Sequence, residues 1–191
     1  MTTFTPLALP EVILATPRRF GDPRGYFCET YVKPRYAAGG IVADFVQDNE
    51  SLSEAVGTIR GLHLQAPPFA QAKLVRVLDG AVFDVAVDVR KGSPTYGRWT
   101  GARLTAEGGE QLFIPQGFAH GFVTLAPATR VAYKVDGLYD TASERGIIWN
   151  DPDLAIDWGV AAEAAVLSGK DLVLPRFKDF ESPFAHRAER R

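Results

Sequence analysis

The stretch QAKLVRVLDGAVFDVAVDVR, residues 71–90, constrains the fold of this chain more than any other. Two runs rich in Val, Leu and Phe flank Asp79-Gly80, a dipeptide suited to a two-residue turn because both turn positions need positive φ. Read as a hairpin, the turn sets Lys73 opposite Ala86 and diagonal to Asp84. Gln71, Lys73, Val75 and Val77 then share a face with Asp88, Ala86, Asp84 and Val82. The other face carries Leu74, Leu78, Phe83, Val85, Val87 and Val89, which only a core can accept. The first face is apolar at one end and polar at the other, and its polar end holds a lysine.

Similar signals recur along the chain. Phe118–Leu125 alternates Phe118, His120 and Phe122 with Ala119, Gly121 and Val123, and Pro127 marks a turn into Val131–Val135, predicting a further hairpin. Gly57–Gln65 reads as another strand, and only Val160–Leu167 hints at a helical stripe. With 18 glycines and 13 prolines scattered among short segments, the expectation is all-β: antiparallel strands in a sandwich or small barrel. The 191 residues suit one domain, 1–191, with Ala185–Arg191 a loose polar tail.

Composition removes whole classes of function. The chain is 46% hydrophobic and 23% charged, which excludes a disordered or fibrous protein. Twenty-one basic against 23 acidic residues leave no general electrostatic attraction to nucleic acid or anionic membrane. The single cysteine, Cys28, can form neither an internal disulfide nor a thiolate metal cluster. No apolar run approaches the roughly 18 residues a membrane span needs. The start MTTFTPLALPEV lacks a basic-then-apolar secretory pattern, so a cytoplasmic location is expected.

Three histidines occur: His63, His120 and His186. His186 falls in the polar tail and reads as solvated. His63 in GLHLQ and His120 in AHGF lie on predicted strands, where a structural histidine is the ordinary case. No H-x-H, H-x-x-x-H or C-x-x-C spacing occurs, so no metal is expected. Acid/base chemistry fits better, because an imidazole accepts a proton near neutral pH once a carboxylate fixes its tautomer. Asp84, Asp88, Glu144 and Asp171 are the acidic candidates for that role. Tyr133 can return a proton, or simply pack as a strand aromatic. Lys73, on a predicted inward face, calls for a carboxylate partner such as Asp84, or for an anionic intermediate to neutralise. Glycine-loop phosphate motifs are absent, but Arg24 in GDPRGYF and Arg60 in TIRGLH are glycine-flanked and are either forks suited to a diphosphate or ordinary surface arginines.

Strung together across residues 21–158, GDPRGYFCETY, FVQDNESLS, GTIRGLHLQAPPFAQAKLVRVLDGAVFDVAVDVRKGSPTYGRW, FIPQGFAHGFVTL and WNDPDLAIDW resemble the dTDP-4-dehydrorhamnose 3,5-epimerase family. The LSGKD segment ending at Asp171 extends the match. The resemblance implies a metal-free cupin-type jelly roll with short peripheral helices and no cofactor. It implies a homodimer with exchanged N-terminal strands, acting on a dTDP-linked 4-keto-6-deoxy sugar. Position by position, it makes His63 the proton acceptor, Asp171 its orienting carboxylate, Tyr133 the proton donor and Lys73 the oxyanion stabiliser. His120 would line the sugar pocket. Arg24, Glu29, Gln47, Asp48, Asn49, Arg60, Glu144 and Lys170 would contact the nucleotide sugar, and Tyr139 would stack on thymine. Leu64 stands where many relatives carry tyrosine.

The chemistry is coherent in itself. A ketone acidifies the C–H bonds on both neighbouring carbons, so one base, one acid and one oxyanion stabiliser can invert either centre through an enolate. A relative that inverts a single carbon needs the same groups, and a non-catalytic sugar-binding cupin would be expected to lack one of them. Strict strand alternation puts Arg60 and His63 on opposite faces although both roles face the ligand. A bulge at Gly61 would restore the parity, or Arg60 would reach the diphosphate around the rim.

Overall fold

The computed structural model describes residues 1–186. Its strands are β1 (Thr3–Pro6), β2 (Ile13–Thr16), β3 (Arg19–Asp22), β4 (Gly25–Cys28), β5 (Gln47–Ser53), β6 (Ile59–Gln65), β7 (Lys73–Asp79), β8 (Ala81–Asp88), β9 (Trp99–Thr105), β10 (Gln111–Ile114), β11 (Phe118–Thr124), β12 (Thr129–Val135) and β13 (Glu144–Gly146). One short helix, α1 (Lys33–Ala38), precedes β5. A six-stranded sheet runs β1-β2-β10-β7-β12-β5 and a five-stranded sheet runs β13-β6-β11-β8-β9, with β3-β4 a separate ribbon. The expected β-sandwich is therefore present. No helix among the described residues is long and apolar enough to cross a membrane.

The Asp79-Gly80 turn forms, but not as a hairpin. β7 pairs with β10 and β12, whereas β8 pairs with β9 and β11, so the turn carries the chain from one sheet to the other. Gly80 has φ +79°, and a Cβ there would lie 2.3 Å from Thr129 Oγ1. The left-handed turn was legible; what the strands pair with was not. Both faces of β7 and β8 are buried, so local alternation gave the two strands no reason to pair with each other rather than with more distant partners. The expected hairpin between β11 and β12 is corrected for the same reason, since those strands also lie in different sheets.

The assignment of faces survives this rearrangement. Val75 and Val77 meet Val82 and Ala86 across the interior, with Leu112, Phe118, Phe122 and Val131 completing that layer. Leu74 turns outward onto Ile13, Phe113 and Tyr36 of α1. Val85, Val87 and Val89 turn outward on the opposite sheet, where Trp149, Trp158 and Phe180 cover them. Three apolar layers thus hold two sheets, which is why neither face of the central strands reads as solvent-facing. Of Val160–Leu167, only Ala162–Ala164 forms a single 3₁₀ turn.

Two local features matter for the site. Along β6 and β11, His63 pairs with His120 but Arg60 pairs with Phe122, so β6 carries one extra residue between them. Gly61, at φ +130°, sits in this bulge with room for a Cβ only 2.5 Å from Gly121 Cα. The tail is tied down further than expected: Ala185 bridges Lys91 and the His186 amide donates to the Lys91 carbonyl at 2.8 Å. The remaining tail, 187–191, lies outside the described residues.

Candidate active site

At one end of the sandwich the interior turns polar. β6 and β11 contribute His63 and His120 from one sheet, and β7 and β12 contribute Lys73 and Tyr133 from the other. The four line one cavity of about 400 Å³, within the usual size range of small-molecule pockets. Arg60, Lys170 and Asp171 share its wall, so the bulge at Gly61 brings Arg60 and His63 to the same hollow. An adjoining hollow of about 300 Å³ shares His63, Lys73 and Tyr133 and adds Gln47, Asn49, Tyr139 and Glu144.

His63 Nε2 lies 2.5 Å from Asp171 Oδ1, and the second carboxylate oxygen accepts from Ser168 Oγ at 2.9 Å. Asp171 is only 3% exposed. Burial alone would raise its pKa, but the hydrogen bond and charge of His63, with Ser168 and Lys170 beside it, outweigh burial and hold the carboxyl below the usual range. A neutral imidazole that donates Nε2–H to this carboxylate keeps its lone pair on Nδ1.

His120 is buried and its Nε2 reaches both oxygens of Asp84, at 2.9 and 3.1 Å. Burial lowers its pKa despite the carboxylate, and the nearby charges of Lys73 and His63 act in the same direction. Asp84 is wholly buried and spends its carboxylate on His120, correcting the expectation of a Lys73–Asp84 pair. Among the described residues Lys73 makes no ion pair within 4 Å. Burial depresses its ammonium to about 8, against the pull of Asp84 and Glu144. Its Nζ stands 6.0 Å from the Tyr133 ring centroid. Tyr133 is shifted upward by burial, with Arg60 opposing.

At the mouth, Tyr139 Oη donates to Glu144 at 3.2 Å and Lys170 pairs with the other oxygen of the same carboxylate. Burial opposes ionisation of Glu144, yet Lys170, Tyr139 and His63 together leave its pKa lowered. Gln47 donates to Asn49 at 2.8 Å, both facing the second hollow.

Three sequence-derived contacts are not brought to this cavity. Asp48 falls between Gln47 and Asn49 on β5, so alternation turns it to the outer face, where it pairs with Lys134 at 2.9 Å. Arg24 lies at the turn of the β3–β4 ribbon, bonded to Asp22 with its side chain 90% exposed. Glu29 pairs with Arg35 and lines a separate hollow with Arg18 and Phe20. Asp88, an early acidic candidate, is consumed by Arg90, Ser93 and Thr95, which overcome its burial and depress it to about 2. Conversely, sequence reading passed over Ser168, although Ser-x-x-Asp within LSGKD is a spacing at which a hydroxyl reaches a nearby backbone amide or carboxylate.

The pattern has counterparts among known proteins. A family model described as dTDP-4-dehydrorhamnose 3,5-epimerase matches residues 6–179. A dTDP-4-dehydrorhamnose 3,5-epimerase from Pseudomonas aeruginosa is 51% identical over 176 residues, covering 92% of this chain and 96% of that protein. The one from Sinorhizobium fredii is 49% identical over 183 residues, covering 96% and 93% respectively. A dTDP-6-deoxy-D-glucose-3,5-epimerase from Legionella pneumophila, solved in complex with dTDP-4-keto-L-rhamnose, superposes with a TM-score of 0.93 at 41% identity, covering 98% of this chain and 100% of that one. With the motif order, the sandwich and these similarities in agreement, the chain belongs to the dTDP-4-dehydrorhamnose 3,5-epimerase family.

Proposed function

We propose that this protein inverts the two carbons flanking the ketone of dTDP-4-dehydro-6-deoxyglucose, giving dTDP-4-dehydro-L-rhamnose. The observation that carries the reading is that His63 and Tyr133 line one cavity from opposite sheets, with Lys73 beside them. His63 takes the proton from the carbon next to the carbonyl, and the electron pair moves onto the ketone oxygen as an enolate. Lys73, desolvated by burial in the cavity wall, favours that oxyanion over the neutral ketone. Tyr133 then delivers a proton to the opposite face of the same carbon, and solvent restores both groups. No electrons leave the substrate, so the cycle balances without an oxidant or reductant.

Arg60 and Lys170 hold the diphosphate in this reading, Gln47, Asn49 and Glu144 contact the nucleotide sugar, and Tyr139 stacks on the base. The enzyme works as a cytoplasmic homodimer with exchanged N-terminal strands. That assembly gives Arg24 and Glu29 a role: the β3–β4 ribbon that carries Arg24, with Glu29 just past its end, reaches the cavity of the partner. Turnover in heavy water tests the whole reading, with deuterium read at each carbon beside the ketone. Label at both supports the double inversion, and label at one selects a single-centre epimerase. No label, with folding and dTDP binding verified, rejects catalysis on this substrate.

A further inference from the structure

The carboxylate of Asp171 has two oxygens and a buried position, and each oxygen has one bonded partner: His63 on Oδ1 and the Ser168 hydroxyl on Oδ2. A carboxylate held through one oxygen alone turns broadly about its terminal torsion, so a second bond is what gives it a single orientation. The same hydroxyl oxygen accepts from the Asp171 amide at 3.2 Å, and that amide also donates to the Ser168 carbonyl at 3.1 Å. Backbone and side chain of Asp171 are therefore both referred to one serine.

Ser168 is in turn referred to the strand that carries the histidine. The Ile59 amide donates to the Val166 carbonyl at 2.9 Å, and the Val166 amide donates to the Gly57 carbonyl at 3.0 Å. The segment bearing Ser168 and Asp171 is thus zipped onto the start of β6, and His63 lies further along the same strand. The chain closes a ring: β6, Val166, Ser168, Asp171 and back to His63 on β6.

We infer that Ser168 is a positioning residue for the epimerisation, fixing the Asp171 carboxylate so that Asp171 holds the proton on Nε2 of His63 and leaves Nδ1 as the base. The inference rests on the reading of His63 as the proton acceptor. Ser168 touches no reacting atom in this account; it acts through Asp171 alone.

The test uses the full-length Ser168→Ala, Ser168→Thr, Asp171→Asn and Ser168→Ala/Asp171→Asn proteins with dTDP-4-dehydro-6-deoxyglucose. Ser168 is an exposed residue on the wall of the cavity, so its truncation removes little packing, and Ser168→Thr keeps the hydroxyl should the alanine variant fold poorly. Ser168→Ala is expected to lower kcat about ten-fold, the scale on which outer partners of a ligating or reacting group act, with KM unchanged. Ser168→Thr restores kcat, and Ser168→Ala costs nothing further in the Asp171→Asn background. Wild-type kcat in Ser168→Ala, or the same ten-fold loss on top of Asp171→Asn, overturns the inference. A readout on the resting protein separates this from the function itself: imidazole ¹⁵N shifts of His63 should report one tautomer, protonated on Nε2, in the wild type and a mixture in Ser168→Ala. If that change appears while His63→Asn still exchanges deuterium, the positioning holds and the proposed base is wrong. Unchanged ¹⁵N shifts in Ser168→Ala sink the positioning role whatever the turnover.

Discussion

His63 and His120 are direct cross-strand partners on β6 and β11, yet their imidazoles bond to different carboxylates, Asp171 and Asp84. Two adjacent histidines thereby acquire different environments. His63 is a quarter exposed along its side chain and opens on the cavity, whereas His120 is buried with its pKa pushed down. A base must reach substrate and water; a wall residue need not. The difference between the two lies in their surroundings, since both line the same cavity from paired positions.

Replacing the base with an amide should abolish chemistry and spare the fold. His63→Asn keeps a polar group at the cavity but cannot accept a proton, and a general base contributes roughly 10²–10⁴-fold. Deuterium incorporation should fall by at least about a hundred-fold, while dTDP binding measured by calorimetry stays intact. Retained exchange in His63→Asn would remove it as the base.

Lys73 predicts an alkaline limb. Its ammonium is held at about 8 by burial, so the free enzyme loses the oxyanion-stabilising charge as pH rises through that value. Accordingly kcat/KM, which reports groups of the free enzyme, should decline above about pH 8. Asp84 and Glu144 support the charge and Lys170 opposes it, with His120, His63 and Tyr133 lining the same cavity. Asp84→Asn should move the limb to lower pH; a limb unmoved in that variant shows that Asp84 does not act on Lys73.

The same shift has a stability consequence of definite sign. With the folded value depressed from 10.5 to about 8, the unfolded chain holds more protons across that window. Stability from this group is present above the unfolded value and lost as pH falls through the folded one. Lys73→Met should therefore raise the melting temperature relative to wild type by more at pH 7 than at pH 10. An equal difference at both pH values would contradict a depressed lysine.

How much of this was legible beforehand depends on range. Alternation alone puts Lys73, Val75 and Val77 on the face shared with Val82, Asp84 and Ala86; the four apolar residues fall in the interior layer, Lys73 lines the cavity and Asp84 is buried. What it could not supply was pairing, because β7 and β8 are buried on both faces and a left-handed Gly80 serves a sheet-to-sheet corner as well as a hairpin. Gly61 was visible only as a parity conflict between Arg60 and His63, which one added residue resolves. Asp48 shares a motif with Gln47 and Asn49, but the period of a strand separates it from them. Asp84 could not be apportioned between Lys73 and His120 without knowing that β8 and β11 are adjacent.

Gly61 itself makes a fourth prediction. A Cβ at this position would meet Gly121 Cα at 2.5 Å and the His120 carbonyl at 2.7 Å, both backbone, with φ at +130°. Neither neighbour can swing aside as a side chain would. Gly61→Ala should cost at least about 1–3 kcal/mol from the backbone conformation alone, read by urea denaturation, and should reduce kcat because Arg60 and His63 lose their common aim. A variant as stable and active as wild type would mean that the bulge is not needed to bring them together.

The last prediction concerns the ribbon. Among the described residues Arg24 is exposed and bonded to Asp22 alone, away from the cavity lined by His63. If a partner's ribbon completes each site, Arg24→Ala and His63→Asn damage different subunits of the same active site. Each homodimer is then impaired, but a heterodimer combines an intact His63 on the Arg24→Ala chain with an intact Arg24 from the His63→Asn chain. Co-expressing the two variants should restore turnover above that of either alone, toward one working site per heterodimer. If instead Arg24 folds back to serve its own cavity, the heterodimer holds two damaged sites and co-expression gains nothing. The same pairing with Glu29→Ala in place of Arg24→Ala should behave alike, because Glu29 lies beyond the end of the same ribbon and shares its displacement from the cavity.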